Sequence, residues 1–282
     1  MFHAERIRWC LAVAHPGHEL AVHGWLELER PTVFTLTDGS GHLGVGRVHS
    51  TTHLLAQVDA APGAIYGHHT DRDIYAALLA EDTGLFVGLA TELAESFEAC
   101  GAGGVAGEAA EGYNPVHDVW RMTVNAAVER IRRSTAPALL NYEFPLFARQ
   151  DSCPPERRRA AIRIELDEQA WDRKLAAAQS YPELAREAQA ALTGDFSQLL
   201  TGFPELVAAA AEAIGPLGKQ AFLVECLRPV PAGEIDPGPP HSPPFYERYG
   251  EKLVASGKYA QVIRYRQHLE PVGAALRSWL GS

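Results

Sequence analysis

The sequence has few of the features that mark several protein classes. Its 282 residues contain four cysteines and no Cys-x-x-Cys spacing, so we expect free thiols instead of a disulfide framework or a thiolate metal site. The apolar stretch at residues 9–14 is too short for a signal-peptide core or a membrane span. The formal net charge of −10 argues against a broad nucleic-acid or anionic-membrane surface. These absences favour a cytoplasmic protein whose partner is a small-molecule substrate.

Short apolar runs alternate with segments of helical periodicity. Ile7 to Ala14 and Thr32 to Thr37 each read as a strand buried on both faces, and the helix predicted between them makes the two strands parallel. This alternation predicts an α/β fold, a Rossmann-like, doubly wound, mostly parallel sheet with helices on both faces. Further strands are predicted at Ala64–Tyr66, Gly104–Gly107, Ala138–Tyr142, Ala161–Leu166 and Ala221–Leu227. Helices are predicted at Glu19–Arg30, Arg47–Val58, Asp71–Leu79 with Asp71 as N-cap, Leu85–Ala99, from His117 onward, Asp167–Ala191 and Pro204–Ile214.

Polar side chains collect where the predicted strands end. Ligands of an open parallel sheet bind beyond the carboxyl ends of its strands, so these side chains are expected to share one edge. His15-Pro16-Gly17-His18 places two imidazoles at a tight strand-to-helix turn, and His117 can add a third from a distant helix start. Three nitrogen ligands and a water form the open arrangement of catalytic zinc. The other residues in these positions are Asp38, Glu108, Glu111, Asn114, Asp118 and Glu143.

Three short motifs give this pattern a resemblance to a known family. Residues 14–19 (Ala-His-Pro-Gly-His-Glu) resemble the Ala-His-Pro-Asp-Asp-Glu signature of the LmbE/PIG-L zinc deacetylases. Residues 35–39 (Thr-Leu-Thr-Asp-Gly) look like the family's Thr-Asp-Gly turn, and residues 114–117 (Asn-Pro-Val-His) are similar to its His-Pro-Asp-His element. Weaker similarities at 174–181 and 222–225 extend the resemblance over roughly the first 226 residues.

The resemblance implies a site with one exchanged ligand and two missing catalytic groups. The family's metal ligands match His15, His18 and His117, so the implied cofactor is Zn²⁺ or another divalent transition metal. The family's general base falls on Gly17, and its second catalytic histidine falls on Asn114. Since imidazole replaces a carboxylate, the site gains positive charge, and this lowers the pKa of a metal-bound water.

The catalytic candidates are the polar groups that can take over proton transfer or bind an oxyanion. Asp38, Glu111 and Asp118 are the acidic candidates, and Asn114 can donate a hydrogen bond but carries no proton. The implied function is a metal-dependent hydrolase acting on a C–N bond, an amide or N-acyl group, of a small metabolite. An N-acyl amino sugar or a natural-product intermediate fits this class.

The resemblance also suggests how the chain is divided. Residues 1–228 are predicted to form the LmbE/PIG-L-like metal-binding α/β domain, and residues 229–244 a proline-rich loop. Residues 245–282 are predicted to be a helical segment that packs on the same domain.

Two alternative functions are compatible with the same sequence. A non-catalytic or altered-chemistry descendant of the deacetylases would keep the fold and the ion but lose the acid and base, as Gly17 and Asn114 suggest. A dinucleotide-binding protein is suggested by Gly39-x-Gly41-x-x-Gly44 after the second strand, with Asp59 near the distance expected for a ribose contact. Against it, Asp38 lies directly before the glycines and would repel a pyrophosphate.

Overall fold

A computed structural model describes residues 7–41, 44–185, 189, 190, 193 and 218–282. Its centre is a seven-stranded sheet in the order β3-β2-β1-β4-β5-β7-β6. The strands are β1 Trp9–Val13, β2 Thr32–Thr37, β3 Ala61–His69, β4 Gly104–Glu108, β5 Leu140–Phe144, β6 Ile162–Glu165 and β7 Val224–Pro229. β1 to β5 pair in parallel, whereas β7 is antiparallel to both β5 and β6. The predicted α/β class and the mostly parallel sheet are therefore confirmed.

Helices cover both faces of the sheet. They are α1 His23–Glu29, α2 Val48–Gln57, α3 Asp71–Leu79, α4 Thr83–Ala99, α5 Pro115–Ser134, α6 Glu168–Gln179, α7 Phe245–Ala255 and α8 Glu270–Leu280, with a π-helical turn at Tyr265–Leu269 and 3₁₀ turns at His18–Val22, Pro155–Ala160, Pro182–Leu184 and Gly218–Phe222. β1 shows the two faces directly, because successive strand side chains point in opposite directions. Cys10 and Ala12 join the core under α3, α4, α5 and α8, whereas Leu11 and Val13 join the core under α1, α2 and α6.

Several helix boundaries differ from the sequence prediction for identifiable reasons. α5 begins at Pro115, two residues before the predicted start at His117, because Asn114 caps it and proline is favoured at the first helical position. The predicted helix Asp167–Ala191 is broken after Gln179, where Tyr181 is extended and Pro182 starts a separate turn. The predicted helix Pro204–Ile214 lies outside the described residues.

Asp71 does not have its predicted role as the N-cap of α3. Thr70 is the N-cap, since its side chain accepts from the amide of Asp73. The carboxylate of Asp73 returns the bond to the amide of Thr70, which completes a capping box. Asp71 is therefore in the first turn of the helix, and its buried carboxylate does not cap the helix.

The C-terminal segment packs against helices from the middle of the chain. Val272 and Leu276 of α8 belong to the same buried cluster as Phe86 of α4 and Trp120 of α5. Residues 230–244 form no helix or strand, although a Cβ placed on Gly112 would lie only 3.3 Å from the prolines at 240 and 244. This loop therefore lies against the connection between β4 and α5. Across the described ranges, no helix is both long and apolar enough to cross a bilayer.

Candidate metal centre

The turn after β1 brings two histidines to the carboxyl edge of the sheet. Gly17 has a φ of 98°, a left-handed conformation that favours glycine, and a Cβ at this position would overlap the side chain of Leu184. The reversal lets the amide of His18 donate to the carbonyl of His15 at 3.3 Å. The two imidazole centres consequently lie 5.1 Å apart.

The third histidine comes from the first turn of α5. Asn114 fixes the start of this helix, since its Oδ1 accepts from the amide of Val116 at 2.8 Å. The ring centre of His117 then lies 5.0 Å from that of His15 and 4.6 Å from that of His18. The sequence placed these three histidines at one edge of the sheet, and the structure brings their rings together.

Two buried carboxylates hold the Nδ1 atoms of two of these rings. His15 Nδ1 lies 2.8 Å from Asp71 Oδ1 and 2.7 Å from the hydroxyl of Thr37. His18 Nδ1 lies 2.7 Å from Glu108 Oε2. A carboxylate on one imidazole nitrogen leaves the other nitrogen for a ligand, as in carboxylate–histidine–zinc arrangements. Both histidines can therefore present Nε2 to the space between the rings.

The spacing of these donors fits a divalent metal. Three imidazoles that each place a nitrogen about 2.0–2.1 Å from one zinc ion at tetrahedral angles have ring centres roughly 5 Å apart. The observed separations of 4.6–5.1 Å match this spacing. In the described ranges, the side chains of His18, Glu108 and His117 place donor atoms that all lie within 4.8 Å of one another. His15 is not part of this donor-atom group, although its ring centre lies 5.1 Å from that of His18 and 5.0 Å from that of His117.

Burial favours the neutral imidazoles of His18 and His117, the form that binds metal. Burial lowers the pKa of His18 well below its usual value, and the charges of His15 and Arg47 act in the same direction. The pKa of His117 is also well below its usual value, chiefly through burial. Burial raises the pKa of Glu108, although nearby histidines oppose this shift. Arg47 is a nearby cation that the sequence did not indicate as a site residue, and its buried Nε has no hydrogen-bond partner among the described residues.

The four predicted catalytic side chains hold loops near the site. Asp38 accepts from the amide of Ser40, and Asn114 caps α5. Asp118, whose pKa is raised by burial to about 7, accepts from the amides of residues 111 and 112. Glu111 accepts from three amides, those of Leu146 at 2.8 Å, Phe147 at 2.9 Å and Ala148 at 2.8 Å. None of these four carboxylate and amide groups is hydrogen-bonded to the three histidines in the described structure, and their catalytic roles stay predictions.

Two carboxylates that contact the histidines had no role in the sequence prediction, which placed Glu108 at this edge of the sheet without a function and Asp71 at a helix cap. Glu108 ends β4 beside the end of β1, and its Oε1 also accepts from the amide of Ala14 at 2.9 Å. Its position at the carboxyl end of a central strand was the sequence feature that could have indicated a role beside the histidines. Asp71 was predicted to be a helix cap. The capping pattern is instead Thr70 followed three residues later by Asp73, so the Asp71 carboxylate is available to contact the histidine.

The glycine-rich turn after β2 uses its amides within the protein. They donate to side-chain oxygens: Gly39 to Thr37 at 3.2 Å, Ser40 to Asp38 at 2.9 Å, and Gly41 to Asp71. A dinucleotide site needs such amides for the pyrophosphate, and here two of the three face carboxylates. His42 and Leu43 lie outside the described residues. The geometry thus disfavours the dinucleotide alternative.

A row of stacked aromatic rings lies next to the helix that carries His117. Tyr113 precedes the cap Asn114 and stacks on Phe147 at 4.5 Å and on Phe245 at 5.3 Å. Phe245 stacks in turn on Tyr249 at 5.7 Å. All four rings belong to partly exposed residues from three separate segments. We call this row the aromatic wall.

Comparison with solved structures identifies a protein of the same fold. The A40926 pseudoaglycone deacetylase Dbv21 is 16% identical, with a TM-score of 0.51 over 82% of this chain and 99% of that chain. The teicoplanin deacetylase Orf2, in a zinc-inhibited form, is 14% identical, with a TM-score of 0.49 over 80% of this chain and 99% of that chain. The sequence itself matches no family model and no curated protein. Both neighbours are deacetylases, and at 16% identity the likeness to Dbv21 shows the fold alone.

Proposed function

We propose that this chain is a divalent-metal-dependent hydrolase of the LmbE/PIG-L type that cleaves the C–N bond of an N-acyl group. The observation that carries the proposal is the group of three imidazoles with centres 4.6–5.1 Å apart at the carboxyl edge of the sheet. Ligand pockets of open parallel sheets occupy this edge. The sequence motifs resemble those of a deacetylase family, and the neighbour Dbv21, which has the same fold, is a deacetylase. Both observations support the proposed hydrolase.

In this proposal His15, His18 and His117 hold the ion, and zinc is the metal that the donor set favours. A bound divalent ion supplies a Lewis acid that polarises the amide carbonyl and acidifies water. Glu108 orients His18 and adds a negative charge beside the ion. Because Gly17 and Asn114 occupy the family's base and acid positions, no side chain there can accept or deliver a proton.

The aromatic wall supports a substrate larger than a free amino sugar. Substrate pockets combine a few polar groups with aromatic and apolar surface, and Tyr113 lies one residue from the cap of the His117 helix. We therefore assign the substrate to natural-product intermediates with an aromatic or apolar part next to the N-acyl group. Dbv21, a neighbour of the same fold, is the deacetylase of the A40926 pseudoaglycone, an antimicrobial reagent.

Metal analysis with matched histidine variants tests the metal centre. We expect about one equivalent of zinc in the protein, lost in His18→Ala and His15→Ala and kept in His53→Ala, since His53 is an exposed residue on α2. Glu108→Gln should keep zinc with lower affinity. Full occupancy in His18→Ala would refute the three-histidine centre.

A hydrolysis screen separates the hydrolase from the non-catalytic alternative. Zinc-loaded protein is incubated with N-acetyl and N-acyl glucosamines, free and linked to an aryl group, and release of free amine is measured. We expect turnover of aryl-linked substrates that is absent from His18→Ala. Zinc binding without turnover of any member of the panel would favour the metal-binding descendant.

A further inference from the structure

Asp71 is a buried carboxylate that contacts three different parts of the site. Its Oδ1 lies 2.8 Å from His15 Nδ1 and accepts from the hydroxyl of Thr37 at 2.9 Å. Its other oxygen accepts from the amide of Gly41 in the glycine-rich turn. The residue is 6% exposed, so water does not compete for these contacts. One carboxylate therefore joins a candidate metal ligand to the end of β2 and to the turn that follows it.

These contacts determine which nitrogen of His15 carries the proton. An ionised carboxylate only accepts hydrogen bonds, so the Nδ1 atom that faces it must be the protonated nitrogen. Thr37 Oγ1, 2.7 Å from Nδ1, can accept from the same N–H while giving its own proton to Asp71 or to the carbonyl of Ala14. In the neutral form of the ring, the lone pair is then on Nε2, the atom left for a metal.

We infer that Asp71 is a positioning residue that fixes His15 as the Nε2–metal tautomer and fastens the glycine-rich turn to the metal centre. The inference rests on the proposed function for its metal, but its tautomer can be measured without one. Helix α3 does not need the Asp71 carboxylate for its start, because Thr70 and Asp73 form the capping box. The carboxylate has no partner outside the site in the described residues.

The tautomer is tested in metal-free protein by long-range ¹H–¹⁵N NMR of the histidine side chains at pH 8. We expect His15 in the wild-type protein to be protonated on Nδ1. Asp71→Asn should lose this preference, because the amide group can also donate, whereas Asp73→Asn, two residues along the same helix, should keep it. An Nε2-protonated His15 in the wild-type protein would overturn the inference without any variant.

Zinc affinity, measured by competition with a chelator of known affinity, gives the second readout. Outer carboxylates on metal-bound histidines typically account for about 10–100-fold in metal affinity. We expect Asp71→Asn to bind zinc about 10–100-fold more weakly and Asp73→Asn to match the wild type. Unchanged affinity and tautomer in a folded Asp71→Asn protein would refute the role. A wild-type protein that has the Nδ1–H tautomer but binds no zinc would refute the proposed function and leave the positioning role of Asp71 intact.

Discussion

Replacing Glu225 by alanine leaves a lysine charge buried without its partner. Glu225 Oε1 lies 2.8 Å from Lys174 Nζ, with side-chain exposures of 0% and 8%. The same carboxylate accepts from the amides of Gly24 at 2.9 Å and Trp25 at 2.8 Å, in the first turn of α1. Removing one partner of a buried pair costs about 3–5 kcal/mol, because the remaining charge keeps its desolvation cost. For a chain of this size we expect the thermal midpoint to fall on the order of 10 °C.

The neighbouring exposed ion pair provides the control. Arg173 contacts Glu27 at 2.6 Å, but the arginine side chain is 54% exposed. Glu27→Ala should cost roughly 0–1 kcal/mol, since solvent screens an exposed pair. Thermal unfolding followed by circular dichroism compares the two variants, and Lys174→Met with Glu225→Leu should lose less than Glu225→Ala alone. A loss below about 1 kcal/mol in Glu225→Ala would refute the assignment of a desolvated pair.

Two further predictions concern the 146–148 turn and the core. Burial raises the pKa of Glu111 above its usual 4.5, although hydrogen bonds from the three amides oppose this shift. The folded protein therefore binds the Glu111 proton more tightly than the unfolded chain does. The stability that this proton contributes is largest below pH 4.5 and is lost as the pH rises through the higher folded-state pKa. Glu111→Gln should therefore show a smaller fall in urea midpoint between pH 5 and pH 8 than the wild type. Phe97 is fully buried with its ring 5.1 Å from that of Phe34, so Phe97→Ala should cost about 3–5 kcal/mol in urea unfolding, and a loss below 1 kcal/mol would contradict this packing.

The sequence was most informative where local chemistry ends an element. The predicted bounds of β2 and α3 agree with the structure: Asp38-Gly39 ends the strand, and the helix covers Asp71–Leu79 although its N-cap is Thr70 and not Asp71. β3 is longer than predicted, covering Ala61–His69 instead of three residues. Proline and glycine at positions 62 and 63 concealed it. They are tolerated because β3 is the edge strand of the sheet and needs fewer ladder hydrogen bonds.

The sequence predicted the part of the candidate site that follows from short motifs and from where each strand ends, but not the contacts that depend on the order of the strands in the sheet. The motif spacing and the strand ends were enough to group His15, His18 and His117. Glu108 meets His18 from 90 positions along the chain, because β4 pairs directly with β1. This sheet order cannot be deduced from strand patterns alone. The aromatic wall was missed for the same reason, since packing of separate segments creates it.

Gly17 shows why the base of the LmbE/PIG-L signature, which residues 14–19 resemble, cannot simply be introduced into this chain. Its φ of 98° costs a non-glycine residue about 1–3 kcal/mol, and its new Cβ would meet Leu184. The turn is also fastened locally, since the amide of Gly17 donates to Glu19 at 2.8 Å. We therefore expect Gly17→Asp to unfold at a lower temperature than the wild type.

Two comparisons separate the steric and conformational parts of that loss. Gly17→Asp in a Leu184→Ala background should recover the part that comes from the overlap, relative to Leu184→Ala alone, while the cost of the positive φ remains. Gly17→Ala should lose at least as much stability as Gly17→Asp, because aspartate tolerates the left-handed region better than alanine. If Gly17→Asp instead matched the wild type in thermal unfolding and increased amide hydrolysis by the zinc-loaded protein, the turn would be adaptable. The backbone conformation at position 17 would then not be what excludes an aspartate there.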